Sequence, residues 1–148
     1  MAIYLNNKVG VKLAVAATPT IPSIDISSYV TAVTLTQVFD ELEVTAMGDT
    51  AHKFAAGLSA ATLSIDFLND WAAASVMDTL NAAIGTTLAV SMITVKGTAV
   101  GATNPSYQFS ILVNNLTPVG SGGVADEAMS SLSFTVNSAV TVSPSVAF

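Results

Sequence analysis

The chain has no cysteine and no arginine, and it carries one histidine, four lysines and ten carboxylates in 148 residues. Each shortage closes a class of function. Without cysteine there is no disulfide framework, thiolate metal centre or thiol nucleophile, and the redox compartment leaves no mark. Catalysis at neutral pH is built from clustered groups that trade protons, attack or hold metal, and this chain has few to cluster. A net charge of −6 disfavours a grip on nucleic acid, because phosphate contacts are dominated by Lys and Arg. Long apolar runs are missing too: nothing approaches the roughly 18 to 20 consecutive apolar residues of a membrane-spanning helix. One Trp, three Tyr and six Phe are too scattered for the aromatic girdle of a membrane barrel. Lys8 and Lys12 ahead of Leu13–Ala17 imitate a signal peptide. Lys12 interrupts a run already shorter than the usual h-region of about 7 to 15 residues, so synthesis without export is expected.

What is abundant points to sheet. Ala, Val, Thr and Ser make up half of the chain, and small and β-branched side chains suit a pleated surface. Hydrophobic residues reach 51% while charged ones stop at 9%, against about 25% in an average soluble domain. A monomer so poor in charge would expose apolar patches of the kind that mark interaction surfaces, and burial against other copies resolves this. The length predicts one domain over 1–148.

Alternation of period two, the mark of a half-buried strand, is clearest in five places. Leu42, Val44 and Ala46 alternate with Glu43 and Thr45, and Leu63, Ile65 and Phe67 alternate with Thr62, Ser64 and Asp66; these two runs are expected to form a hairpin-like pair. Leu88–Lys96 reads as a nearly continuous apolar strand, and Tyr107–Val113 and Leu132–Val136 alternate again. Weaker strands are expected at Ile3–Leu5, Val9–Val15, Tyr29–Leu35 and Val140–Val142. One helix is predicted from about Val76 to Ile84, with Ser75 as hydroxyl N-cap, Asp78 three residues on, Val76, Leu80, Ala83 and Ile84 on one face, and Gly85 as terminator. Turns are expected at Gly48–Asp49, Gly57, Gly97, 101–105 and 118–123. The fold class is mainly β: an antiparallel sandwich or partial barrel with one flanking helix.

Candidate sites are few. His52 with Asp49 would lack the further ligands usual for zinc, so an exposed or interfacial histidine is the default. Asp40, Glu41 and Glu43 form the densest acidic cluster, but paired carboxylates for sugar chemistry are less expected than a solvated face: Asp40 and Glu41 are expected at a turn, and Glu43 on the outward phase of a strand. No G-x-S-x-G elbow, calcium loop or phosphate loop is present, and neither catalytic residues, metal nor cofactor are expected. Trp71 and Tyr107 could serve as sugar-stacking platforms. In that case the chain would be a carbohydrate-binding sandwich on a virion or cell surface. A lone Trp is more often structural, here packing the helix entry onto the sheet.

Four consecutive stretches, DISSYVTAVTL (25–35), ELEVTAMGDT (41–50), KFAAGLSAATLSIDF (53–67) and AAASVMDTL (72–80), together with 102–136, resemble the major tail tube proteins of long-tailed, siphovirus-like bacteriophages. The matching positions are Val44, Thr45, Ala46, Gly48 and Asp49; then Ala56, Gly57 and Leu58; then Ser75, Val76, Thr79 and Leu80. The order of these short motifs carries the resemblance, over roughly two thirds of the chain. Tubes of contractile tails and of phage-derived particles are covered by it as well.

The resemblance implies a non-enzymatic structural virion protein, made in the host cytoplasm and located in the tail. Six copies would form a ring, and stacked rings a tube delivering DNA without specific binding. The partners it implies are tail tip and tail terminator proteins, and a tape measure protein in the lumen; no membrane is involved. It makes Asp40, Glu41 and Glu43 candidates for the lumen or the inter-ring contact. The segment from Gly48 to Gly57, with Asp49, His52, Lys53 and Phe54, becomes a candidate inter-subunit loop. The basic residue often found there in the family is here His52–Lys53, so an inter-ring salt bridge in this segment would rest on Lys53.

Overall fold

The computed structural model describes residues 6–120 and 123–148. The expected strand Ile3–Leu5 and part of the expected Gly120–Gly123 turn lie outside them. A short 3₁₀ turn (Asn6–Lys8) leads into β1 (Gly10–Val15), β2 (Thr18–Asp25), β3 (Val30–Glu43), β4 (Phe54–Leu68), α1 (Val76–Ala83), β5 (Thr87–Ile93), β6 (Ser106–Leu112), β7 (Met129–Thr135) and β8 (Thr141–Ser143). All pairings are antiparallel. They build a five-stranded sheet in the order β2-β1-β5-β6-β8 and a three-stranded sheet in the order β3-β4-β7. Among the described residues no helix is long and apolar enough to cross a membrane.

The two sheets face each other over one apolar core. Val11 and Leu13 from β1, Leu88 and Val90 from β5 and Phe109 and Ile111 from β6 meet Leu63, Ile65 and Phe67 from β4 and Leu132 and Phe134 from β7. Each such side chain, fully buried, contributes about 1.5–3 kcal/mol of transfer free energy. The sandwich is stitched at one corner, where Ile111 bridges Val136 and the Asn137 N–H donates to the Ser110 carbonyl at 2.7 Å. β5 is the central strand of its sheet. Its near-continuous apolar sequence follows from cover on both faces, Leu88 and Val90 inward and Ile93 beneath the Phe148 ring on the outer face, where Phe148 also lies over Gly10.

α1 matches its predicted start and buries Val76, Met77, Leu80 and Ala83. Its N-terminus is capped differently from expectation. Ser75 gives no side-chain cap; its hydroxyl donates to the Asp70 carbonyl at 2.5 Å, and Asp78 accepts from the Ala74 N–H at 3.0 Å. Ile84 is exposed rather than on the buried face.

Two strands differ from the sequence reading. β2 was not expected at all, and it contains Pro19 and Pro22. It exists as an edge strand, the place where a missing N–H is tolerated, and it pairs only with β1. β3 and β4 are far longer than the alternating runs. Asp40 and Glu41 lie inside β3, not at a turn, and Gly57 lies inside β4, not in a loop; Val44 and Ala46 lie beyond the end of β3.

Asn104, 4% exposed, organises the loop between β5 and β6. Its side-chain oxygen accepts from the Thr94 hydroxyl (2.7 Å) and the Val95 N–H (3.0 Å), and its amide donates to the carbonyls of Val95 and Thr98. Asn104→Ala leaves these part-buried groups short of partners and is expected to cost about 1–2 kcal/mol, measured as a drop in unfolding free energy by denaturant titration.

Candidate functional site

β4 pairs with β7 only from Thr62 to Leu68. Beyond Ala61, whose carbonyl still accepts from the Val136 N–H at 3.0 Å, the β3–β4 hairpin continues without a third strand. The result is a two-stranded arm from about Gln37 to Ala60. A ribbon of two strands is marginal alone in water, and nearly every residue on this one is exposed, with Asp49 and Gly57 half-buried. The arm is also apolar. Leu58 is 81% exposed, Phe39 57% and Phe54 58%, while Met47 at the tip is fully exposed. By strand alternation, Phe39 and Val38 point to opposite faces, so neither face of the arm is a polar, water-facing surface.

A bulge sits midway. Phe39 pairs with Ser59 and Glu41 with Ala56, so β4 spends three steps where β3 spends two, and Asp40 faces the Gly57–Leu58 pair. Gly57 fits because a Cβ there would stand 3.0 Å from the Asp40 Cβ and 3.2 Å from its carbonyl oxygen. A glycine inside a strand commonly marks such a close approach, and the bulge increases the local twist.

The tip, residues 44–53, is tied within itself. The Val44 N–H donates to the Lys53 carbonyl at 2.8 Å, the Ala46 N–H to the Asp49 carboxylate at 2.9 Å and the Lys53 N–H to the Thr45 hydroxyl at 3.0 Å. Gly48 takes φ +101° to turn the chain. His52 Nδ1 lies 2.6 Å from Glu43 Oε1, and Lys53 pairs with Asp49. His52 therefore meets Glu43 rather than Asp49, and Lys53 is engaged inside its own chain. The His52 and Thr45 bonds hold the Glu43 carboxyl below its ordinary range, and Lys53 with the Ala46 N–H does the same for Asp49. Among the described residues no three His, Asp or Glu side chains gather as a metal cluster would require.

Of the residues singled out from sequence, Asp40, Glu41, Glu43, Asp49, His52, Lys53, Phe54 and Gly57 all fall on this one arm. Asp40 and Glu41 form no ion pair among the described residues. Val38, Phe39 and Leu42 on β3 were missed. Their signal was available: large apolar side chains directly beside the acids Asp40, Glu41 and Glu43. Trp71 and Tyr107 do not converge. Trp71 is half-exposed in a shallow hollow with Asn69, Pro118 and Val119, whereas Tyr107 lines a separate cleft with Val9, Leu35 and Met92.

The free edges of the two sheets differ. β2 carries two prolines, and β8 is three residues long. Beside β7 runs the 115–117 segment, with the Asn115 amide donating to the Ser133 carbonyl at 2.9 Å and the Ser130 hydroxyl donating to the Thr117 carbonyl at 3.1 Å. β3 is 14 residues long, free of proline and paired on one side only. Such an edge is a template for pairing with another chain.

No protein-family model matches the chain, and no curated protein sequence matches it. Among solved structures it is similar to a chain of the tail of an empty GTA (gene transfer agent) particle, computed with helical refinement and C6 symmetry. The TM-score is 0.66 at 15% identity, covering 95% of this chain and 99% of the other. The mainly β, antiparallel fold with one helix is thus shared over nearly the whole length.

The depressed Glu43 and Asp49 carboxyls give the tip a pH dependence of definite sign. A carboxyl whose folded pKa is lowered stabilises the folded form above its ordinary value and loses that contribution as pH falls through the folded value. Carboxyl NMR titration is expected to place the Glu43 midpoint below 4.5 and that of Asp49 below 3.8, the ordinary values. His52→Ala should move Glu43 back towards 4.5 and leave Asp49 in place.

Proposed function

We propose that this chain is the tube-forming subunit of a phage-like tail, closing into rings whose stacking makes a hollow conduit for DNA. The observation that carries the reading is the bare, apolar β3–β4 arm beside an unprotected 14-residue strand edge. Neither is stable in water as a final surface, and both become joins when copies surround one another. The full-length likeness to a tail subunit of a C6-symmetric particle supports six copies per ring. Contacts between unlike patches of identical chains close into rings or run on as filaments; a stacked tube uses both.

The same reading accounts for the chemistry that is missing. A channel for DNA must not hold what it carries, and a net charge of −6 without arginine supplies neither attraction nor the bidentate phosphate clamp. In the virion tail, where this reading places the chain, the tail tip, terminator and tape measure proteins are the expected neighbours. The role is structural, with no catalytic step. The rival carbohydrate module loses its support, since Trp71 and Tyr107 line different hollows.

Negative-stain microscopy of the purified chain is expected to show rings or tubes with a central channel. Met47→Glu and Leu58→Glu, at positions that pack against nothing in the subunit, should leave the thermal unfolding midpoint within about 2 °C, because exposed substitutions usually stay within about ±0.5 kcal/mol, and should abolish tubes. Tubes formed by the double variant as readily as by the parent would remove the arm from the assembly.

A further inference from the structure

Residues 144–148 leave β8 and turn back across the outer face of the five-stranded sheet. The Ser143 hydroxyl starts the turn by accepting from the N–H groups of Ser145 (3.2 Å) and Val146 (3.0 Å). Two rows of residues, paired strand to strand, lie on this face: Gly10, Ile93 and Ser106 in one, and Lys12, Ser91 and Gln108 in the other. Side chains from both rows reach up to main-chain oxygens of the segment. Ser106 donates to Val146 at 2.7 Å, Gln108 to Ala147 at 3.4 Å and Lys12 to Phe148 at 2.9 Å. None of these is a ladder bond, and residues 144–147 stay exposed. The segment is a strap laid over the sheet, not a strand added to it.

Phe148 is its anchor. The ring lies so close over β1 that a Cβ on Gly10 would stand 2.6 Å from the ring's Cζ and 2.9 Å from its Cε1, with Ile93 Cγ2 also at 2.9 Å. Glycine at position 10 is what leaves room for the ring. The Lys12 ammonium sits 4.5 Å from the ring centroid while it bonds the main-chain oxygen of the same residue. One lysine thus reads both the face and the main chain of a single aromatic residue. Cζ is the para carbon, and it is the ring atom nearest Gly10. A tyrosine hydroxyl added there would run into the β1 backbone, so the socket is shaped for phenylalanine.

The strap fits less well at its centre. Ser91 is 2% exposed and its hydroxyl has no partner, although Lys12 and Gln108 on either side of it both bond the strap. A hydroxyl buried unpaired counts against the closed form, and the buried ring of Phe148 counts for it. The strap hangs from β8, an edge strand of three residues.

We propose that Gly10, Lys12 and Ile93 form a phenylalanine-reading socket, which Phe148 plugs in the free subunit and which a phenylalanine in an extended, uncharged segment of a partner protein takes when the strap lifts. The strap is then an autoinhibitory plug. The partner's main chain is held by Lys12, Gln108 and Ser106 as the strap's is, and a polar group placed opposite Ser91 gives it a bond that the strap lacks. This site is independent of the tail-tube reading.

The probe is the capped peptide acetyl-Pro-Ser-Val-Ala-Phe-amide, titrated by calorimetry into the full chain and into its Phe148→Ala variant, whose socket is empty. The variant is expected to bind the peptide, and the parent, with its socket plugged, to bind it at least about tenfold more weakly. A tyrosine in place of the peptide's phenylalanine should weaken binding to the variant at least about tenfold, and Gly10→Ala in the same background should abolish it. Circular dichroism verifies folding. Phe148→Leu, which keeps an apolar side chain but offers Lys12 no flat ring, replaces Phe148→Ala if the latter melts. No binding to the emptied socket, equal binding by parent and variant, or equal binding of the two peptides each overturns the socket. None of these results touches the tail-tube reading, which the microscopy of the parent tests separately.

Discussion

The core stops halfway along its longest hairpin. β7 supports β4 only as far as Thr62, so everything distal to that point is a ribbon of two strands with water on both faces. The architecture divides there: a sandwich that packs Phe67, Phe134 and Ile111 to near-zero exposure, and an arm whose Phe39, Leu58 and Phe54 stay more than half exposed. Surface this apolar is the kind that marks an interaction site. The length of β3, its open edge and the charges along the arm acquire their meaning from that division.

The parts legible in the sequence were those with a buried face. Leu63–Phe67, Tyr107–Val113 and Leu132–Val136 alternate because every second side chain enters the core, and β4, β6 and β7 lie where that alternation places them. α1 likewise starts where its apolar spacing does. Where no face is buried, alternation has no physical cause; on the arm it was read only over Leu42–Ala46, and the length of the ribbon was hidden. The bulge at Gly57–Leu58 obscured it further, because one extra residue resets the phase of the strand. β2 was masked by Pro19 and Pro22, which weigh against a central strand and are compatible with an edge. The candidate residues fared differently: acids and a turn motif singled out the arm, yet its apolar residues and its continuity as strand became visible only in the structure.

The scarcity of charge acts through position rather than amount. Glu43 and Asp49 are consumed in holding the tip together through His52 and Lys53, which leaves Asp40 and Glu41 as the free charges of the arm. On the sandwich, the Asp25–Lys96 pair and the Lys12–Phe148 contact leave Lys8. In a chain with four cations, each intramolecular pairing decides which charges remain for anything else.

The arm is also a lever. From Gln37 to Glu43 it spans about 20 Å at 3.3 Å per residue, anchored at one end by the sandwich. A rotation of about 5° at its root therefore sweeps the end of β3 through nearly 2 Å, about half the width of one van der Waals contact. Stiffness in any assembly built from such levers resides at the root, in the few residues where β3 leaves the core. Curvature can be absorbed there without disturbing the packed interior.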